Sequence, residues 1–448
     1  MPVVSRPQTV RIRRPNGIST SYQYDTLSRL LSVLHNGAND GATYSYDLAG
    51  NRISKQNVLT GISETYTYDP VYELTQVTQA VNTTESYSYD PVGNRLSSLL
   101  GQYAYNTSNE LTAFASNSYA YDKNGNMLSK TNAGSVTSYV WDWESRLSSI
   151  TLPNNTGTIG FRYDPFGRRI QKTSPNGVTN YLYDGQNIVA EVSPLGAVLA
   201  SYAQGAGIDE PLAMQRGGNA VYYHADALGS VTSFTNASAQ TVATYVYDSF
   251  GNTTATEGIS NSFRYTGRED DSARGLYYYR ARYYDPTIGR FVSEDPLRFA
   301  DLSNFYVYVH NRPVNATDPT GLWILICSRP GFQGSGGQGI GNHAYLYDTR
   351  NGHSCGRGDQ SGLENPTSPG TVCRLVPGSD GHEDDVMHCC ETERQHAGAW
   401  VPGWNDCHNT AGNCLTMNNL TNPGAPGGRL GCRGKCAVPT LDEMKSTD

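Results

Sequence analysis

No cysteine occurs in the first 326 residues. That absence removes disulfide stapling, thiol catalysis and thiolate metal ligation from nearly three quarters of the chain. Charge is also scarce, at 17% of residues with a net charge of −8. Such a balance disfavours a broad nucleic-acid-binding face, although a small basic cleft can hide within it. No apolar run approaches the roughly 18–20 residues of a spanning helix. The longest near the middle boundary, Leu322 to Cys327, has the length of a strand. The segment from Met1 to Gly17 lacks the roughly 7–15-residue apolar core of a secretory leader. The chain therefore reads as soluble, and any export would need a carrier other than its own leader.

What is abundant is turn-forming and aromatic. There are 47 glycines and 32 tyrosines in 448 residues, a composition that points to a β-rich protein of two or more units. The tyrosines recur in a unit of aromatic, any residue, Tyr and Asp, followed by a turn. Copies stand at Tyr22 to Asp25, Tyr44 to Asp47, Tyr66 to Asp69, Tyr87 to Asp90, Tyr119 to Asp122, Tyr139 to Asp142, Phe161 to Asp164, Tyr181 to Asp184 and Tyr245 to Asp248. Period-two alternation predicts both aromatics on one strand face. Asp followed by Pro or by a Gly-containing triplet predicts the turn. One such hairpin cannot bury its aromatic face alone, so neighbours must stack into a continuous sheet. Any single repeat tyrosine is read as structural.

This pattern resembles the YD-repeat proteins: the rearrangement-hotspot (Rhs) family, the C components of bacterial Tc toxins, and teneurins. The resemblance spans about residues 8 to 322. It implies a β-hairpin shell, here a partial cocoon, because complete shells are longer. Three regions follow: repeats over 1–220, an Rhs-associated core over 221–322, and a variable small α+β domain over 323–448. The core is marked by Gly275 to Pro286, Gly289 to Pro296, Tyr306 to Pro313 and Asp318 to Leu322. In relatives an intramolecular aspartyl protease cuts after the final Leu, which here is the Leu322–Trp323 bond. Matched position by position, Asp295 and Asp318 become the carboxylate pair and Arg282 their cation. Two close carboxylates do not both ionise cheaply, so one can activate water while the other protonates the leaving group. Asp-Pro by itself merely starts turns; the surrounding motif is what singles out Asp295 and Asp318, and Asp285 reads as structural.

All nine cysteines lie between Cys327 and Cys436, and six of nine histidines lie beyond position 340. Chemistry is therefore sought in the tail. His343 opens a predicted strand, and Cys407 falls in the first turn of a predicted helix capped by Asn405 or Asp406. A helix start favours thiolate, so His343 and Cys407 form a candidate base and nucleophile. Their order resembles circularly permuted papain-like hydrolases, with Asp348 or His353 as the orienting residue. Other readings stay open. Nine cysteines allow four disulfides and one free thiol; Cys389-Cys390 and Cys432/Cys436 suit bridges, and Cys407 as a merely buried or bridged thiol is a further reading. His353, Cys355, His388 and Cys389 make a weakly spaced zinc set. A nuclease tail would draw on His343, His382, His388 or His408, although the tail's 9 Lys and Arg against 13 Asp and Glu disfavour it. A non-enzymatic adhesive repeat protein with a stapled tail is the third reading. The resemblance implies a polymorphic toxin, secreted or delivered to a target cell, with an immunity protein and a secretion or shell-completing partner. No cofactor is expected.

Overall fold

The structure, a computed structural model, describes residues 9–36, 39–256, 258–271, 275–296 and 304–321, with four tail segments at 324–330, 342–348, 353–355 and 372–375. The chain divides into two compact units, Met1–Pro296 with Ser303–Gly321, and Leu297–Leu302 with Leu322–Asp448. In the first unit, β1 (Thr9–Arg13) to β25 (Thr253–Thr256) form one antiparallel sheet of 25 strands. Each strand pairs with its neighbours in sequence, as stacked hairpins require. The described fold is mainly β, as the repeats predict.

The repeat departs from simple alternation in one respect. The pairing register shifts just before the second aromatic, at Ser45/Tyr46, Thr67/Tyr68, Ser88/Tyr89, Val140/Trp141, Arg162/Tyr163 and Leu182/Tyr183. Such a bulge inserts one residue and re-aims the side chain that follows. The first aromatic then enters the core; Tyr44, Tyr66, Tyr139, Phe161 and Tyr181 are all buried. The second is half-buried and reaches back to the preceding repeat. Tyr46 Oη donates to the Leu30 carbonyl at 2.7 Å, Tyr163 to Leu147 at 2.7 Å, and Tyr183 to Arg169 at 2.8 Å. Trp141 fills the same role, its Nε1 donating to the Met127 carbonyl at 2.7 Å. Each rung satisfies a backbone carbonyl that would otherwise need another partner.

The Asp closes the turn. Asp47 Oδ1 accepts the Asn51 amide at 2.8 Å, and Asp164 Oδ1 accepts the Arg168 amide at 2.9 Å. The position three after the Asp takes a left-handed backbone, with φ of 93° at Gly50 and 79° at Gly167. That conformation is why this slot so often holds glycine.

After the repeats, β26 (Glu269–Asp271), β27 (Leu276–Tyr279), β28 (Arg282–Asp285) and β29 (Arg290–Phe291) form a second antiparallel sheet. Leu276, Tyr278, Tyr283, Ile288 and Val292 share a core with repeat residues from Tyr103 to Phe161. The terminal motif is thus packed onto the repeat wall.

A separate seam joins β3 (Leu30–Asn36) and β4 (Asp40–Tyr46) to β22 (Asn219–Ala225) and β23 (Val231–Asn236), and it is polar. Asp40 Oδ2 accepts from Thr232 and Ser233, both at 2.6 Å. His35 Nε2 lies 3.0 Å from the Ala225 carbonyl, and the His35 and His224 rings sit 4.7 Å apart. Both rings are buried. Burial lowers the pKa of both, that of His224 to about 2; the charges of His35 and then Arg14 add to the effect at His224, and Arg14 adds to it at His35. Asp40 and Asp226 oppose the shift at His35. Folding therefore favours the neutral form of each ring. Their contribution is intact above the unfolded pKa of about 6.5 and is lost as pH falls below it, because only the unfolded chain then gains the protons freely. Urea midpoints at pH 7.5 and 4.5 are expected to differ more in the wild type than in the double variant His35→Gln/His224→Gln. Equal pH shifts in both proteins would contradict this.

In the second unit, β30 (Ile324–Pro330) pairs with β31 (Asn342–Asp348) and with β33 (Val372–Leu375), and β31 pairs with β32 (His353–Cys355). The described tail segments are all strands. The helix expected at Cys407 lies outside the described residues.

Candidate functional site

The β27–β28 hairpin places Arg282 at the start of β28, where its side chain is buried. The guanidinium lies over the Phe291 ring, 3.7 Å from its centroid. Nη1 donates to the Phe305 carbonyl at 3.0 Å. Nη2 sits 3.0 Å from Asp295 Oδ2 and 3.4 Å from Asp318 Oδ2. A single nitrogen thus draws in carboxylates from two separate segments. Asp295 is 4% exposed and Asp318 fully buried, so their charges are screened little by solvent. The Asp295 amide donates to the Phe305 carbonyl at 3.1 Å, tying that segment to the same oxygen that Arg282 uses.

Aromatic rings enclose the cluster. Tyr279, Tyr284, Phe291 and Tyr308 pack with centroid separations of 4.4–5.8 Å. Burial holds the phenols of Tyr279, Tyr284 and Tyr308 well above their ordinary range. The rings are buried and neutral, and burial among them strengthens the electrostatics of the three charged groups.

Asp318 also shapes the chain that follows. Its Oδ1 accepts the Gly321 amide at 2.7 Å. Gly321 has φ of 71° and its Cα faces the hairpin so closely that a Cβ would lie 2.8 Å from the Tyr279 carbonyl oxygen. Only glycine fits both the dihedral and the space. Leu322 follows at once in sequence; it and Trp323 lie outside the described residues.

The structure thus brings together Arg282, Asp295 and Asp318, the three residues singled out in the core motif. In the tail, His343 stands on β31, where its backbone is in register with Arg329. Asp348 ends the same strand in register with His353 of β32. Cys407, His382, His388, Cys389 and His408 lie outside the described residues. Sequence reasoning missed Arg280 and Asp209, which meet beside the same hairpin. The signal was present as the first arginine of Tyr279-Arg280-Ala281-Arg282.

The family model of the teneurin YD-shell matches residues 58–314. The chain belongs to the YD-shell family. Among curated proteins, the YD-shell chain is 36% identical over 328 residues to the tRNA3(Ser)-specific nuclease WapA of Bacillus spizizenii, across 69% of this chain and 12% of that protein. It is 26% identical over 348 residues to the double-stranded DNA deaminase toxin A of Burkholderia cenocepacia, across 68% of this chain and 24% of that protein. The YD-shell chain therefore spans about an eighth to a quarter of these relatives. Its fold matches the crystal structure of TcdB2-TccC3-Cdc42 with a TM-score of 0.57 at 22% identity, over 70% of this chain and 19% of that one. No helix among the described residues is long and apolar enough to cross a membrane.

Proposed function

We propose that Asp295, Asp318 and Arg282 form a single-turnover aspartyl centre that hydrolyses the Leu322–Trp323 bond and frees residues 323–448 as a toxin. The observation that carries this is the convergence of two buried carboxylates on one guanidinium nitrogen, at 3.0 and 3.4 Å, the second of them, Asp318, four residues before Leu322 in sequence. In the reaction, one carboxylate takes a proton from water as its oxygen attacks the Leu322 carbonyl carbon. The other gives a proton to the Trp323 nitrogen as the C–N bond breaks. Arg282 keeps one carboxylate charged. On this reading residues 1–220 are repeats, 221–322 the self-cleaving core and 323–448 the cargo. An immunity protein in the producing cell and a secretion or shell-completing partner complete the proposal.

For the cargo, the names of the relatives favour action on nucleic acid, by a nuclease using His343, His382, His388 or His408. The match to WapA covers 69% of this chain and 12% of that protein, so a nuclease activity of the tail is part of this proposal. The thiol hydrolase with Cys407 and His343 is the other reading, resting on the order and setting of those two residues.

Intact mass under denaturing conditions tests the cleavage. The wild type is expected as two species, one beginning at Trp323, and Asp295→Asn and Asp318→Asn as single whole chains. An uncut wild type would overturn the proposal. The released tail is then assayed on RNA and DNA: loss of its toxicity in Cys407→Ala without nucleic-acid cleavage supports the thiol reading, and cleavage that survives Cys407→Ala supports the nuclease.

A further inference from the structure

The hairpin between β27 and β28 turns through Arg280 and Ala281. Arg280 has φ of 57°, a left-handed conformation that a non-glycine side chain adopts only at a cost. The turn directs its guanidinium into a fork-to-fork pair with Asp209, Nη2 to Oδ1 at 2.7 Å and Nη1 to Oδ2 at 3.0 Å. This planar, two-bond geometry is the most orientation-specific that an arginine makes. Arg268 binds the same carboxylate and so fixes Asp209 in turn. Arg280 Nη1 also donates to the Pro319 carbonyl.

The next residues are held as well. The Ala281 amide donates to the Thr320 carbonyl at 3.3 Å. Gly321 lies against the Tyr279 carbonyl and donates its amide to Asp318. Pro319, Thr320 and Gly321 are thus each fastened by a separate contact. Two of those contacts come from the turn residues Arg280 and Ala281.

We propose that Arg280, braced by Asp209, is a positioning residue for self-cleavage: it holds Pro319–Gly321 in the register that offers the Leu322–Trp323 bond to the carboxylate pair. The inference rests on the cleavage reading above. Arg280 touches no reacting atom, so its effect is on where and how fast the bond is presented. Misplacing a reacting bond by about 1 Å costs on the order of 100-fold in rate.

The test follows full-length chains made by cell-free translation, sampled over time by intact mass, with the released N-terminus sequenced and melting measured on each product. The set is wild type, Asp295→Asn, Arg280→Gln, Arg280→Lys and Asp209→Asn. Arg280→Gln and Asp209→Asn are expected to cut on the order of 100-fold more slowly and to scatter new N-termini over bonds next to Leu322–Trp323. Arg280→Lys is expected to recover part of the rate. A purely structural role would lower the melting temperature yet leave one cut site. If Arg280→Gln cuts only at Trp323 and at the wild-type rate, while Asp295→Asn stays whole, the positioning role is overturned and the cleavage reading stands. If the wild type itself stays whole, both are overturned.

Discussion

Arg282→Met is expected to leave the chain uncut and to destabilise the shell by about 3–5 kcal/mol, the range for removing one partner of a buried ion pair. Methionine keeps an apolar stem over Phe291, so the loss is electrostatic rather than a cavity. What remains is two buried carboxylates, Asp295 and Asp318, without the nitrogen that lay 3.0 and 3.4 Å away. Burial then disfavours their charged forms. The variant is therefore expected to be least stable where both carboxylates are ionised and to recover partly as pH drops. Melting at pH 5 and pH 8 checks this: the deficit against an uncut reference, Asp295→Asn, should be larger at pH 8. Arg282→Lys should lie between, because an ammonium keeps the charge but loses the fork that also reaches the Phe305 carbonyl. An Arg282→Met chain that still cuts would remove the cation from the mechanism.

Arg169→Met carries the second large effect. Arg169 is 1% exposed in β17 (Arg169–Ser174), and it pairs with Glu269 at 2.5 Å and with Asp271. Its guanidinium carbon lies 4.4 Å from the centre of the Tyr278 ring. Lys172 adds a contact to Asp271 at 2.5 Å. Burial alone would raise the pKa of Asp271; Arg169 first and Lys172 next outweigh it and hold it below the ordinary carboxylate range. Removing Arg169 strands Glu269, and the cost is again about 3–5 kcal/mol. For a unit of this size that is a fall in melting temperature of roughly 10 °C. The triple variant Arg169→Met/Glu269→Gln/Asp271→Asn should recover much of it, since replacing a whole buried ionic group is often close to neutral. If single and triple variants melt alike, the loss comes from packing and not from the stranded charge.

The sequence was most legible where one residue type repeats at a fixed spacing. The Tyr and Asp copies predicted stacked hairpins, and the sheet from β1 to β25 is made of them. The bulge before the second aromatic was not legible, because alternation counts residues and a bulge adds one. So the spacing predicted two equivalent rings, whereas Tyr44 is buried and Tyr46 reaches back to the Leu30 carbonyl. The three members of the core cluster were found through resemblance, since nothing in the local pattern of Asp295 or Asp318 separates them from turn formers. Arg280 and Asp209 escaped notice because they lie 71 residues apart and Asp209 sits outside any motif. The polar seam escaped for the same reason: His35 and Ala225 are 190 positions apart, and such pairings follow from how the whole sheet bends.

That seam has a consequence for how such a chain can change length. The tyrosine rungs themselves run from one repeat to the preceding one, so the ladder as such can be lengthened by whole hairpins. Between the seam's two halves, however, the number of hairpins is fixed, because Asp40 must meet Thr232 and Ser233, and His35 must meet Ala225. A whole repeat added before His35 keeps those partners aligned, whereas the same repeat added between His35 and His224 moves them out of reach. The seam thus acts as a gauge: units inserted or deleted between its two halves are counted.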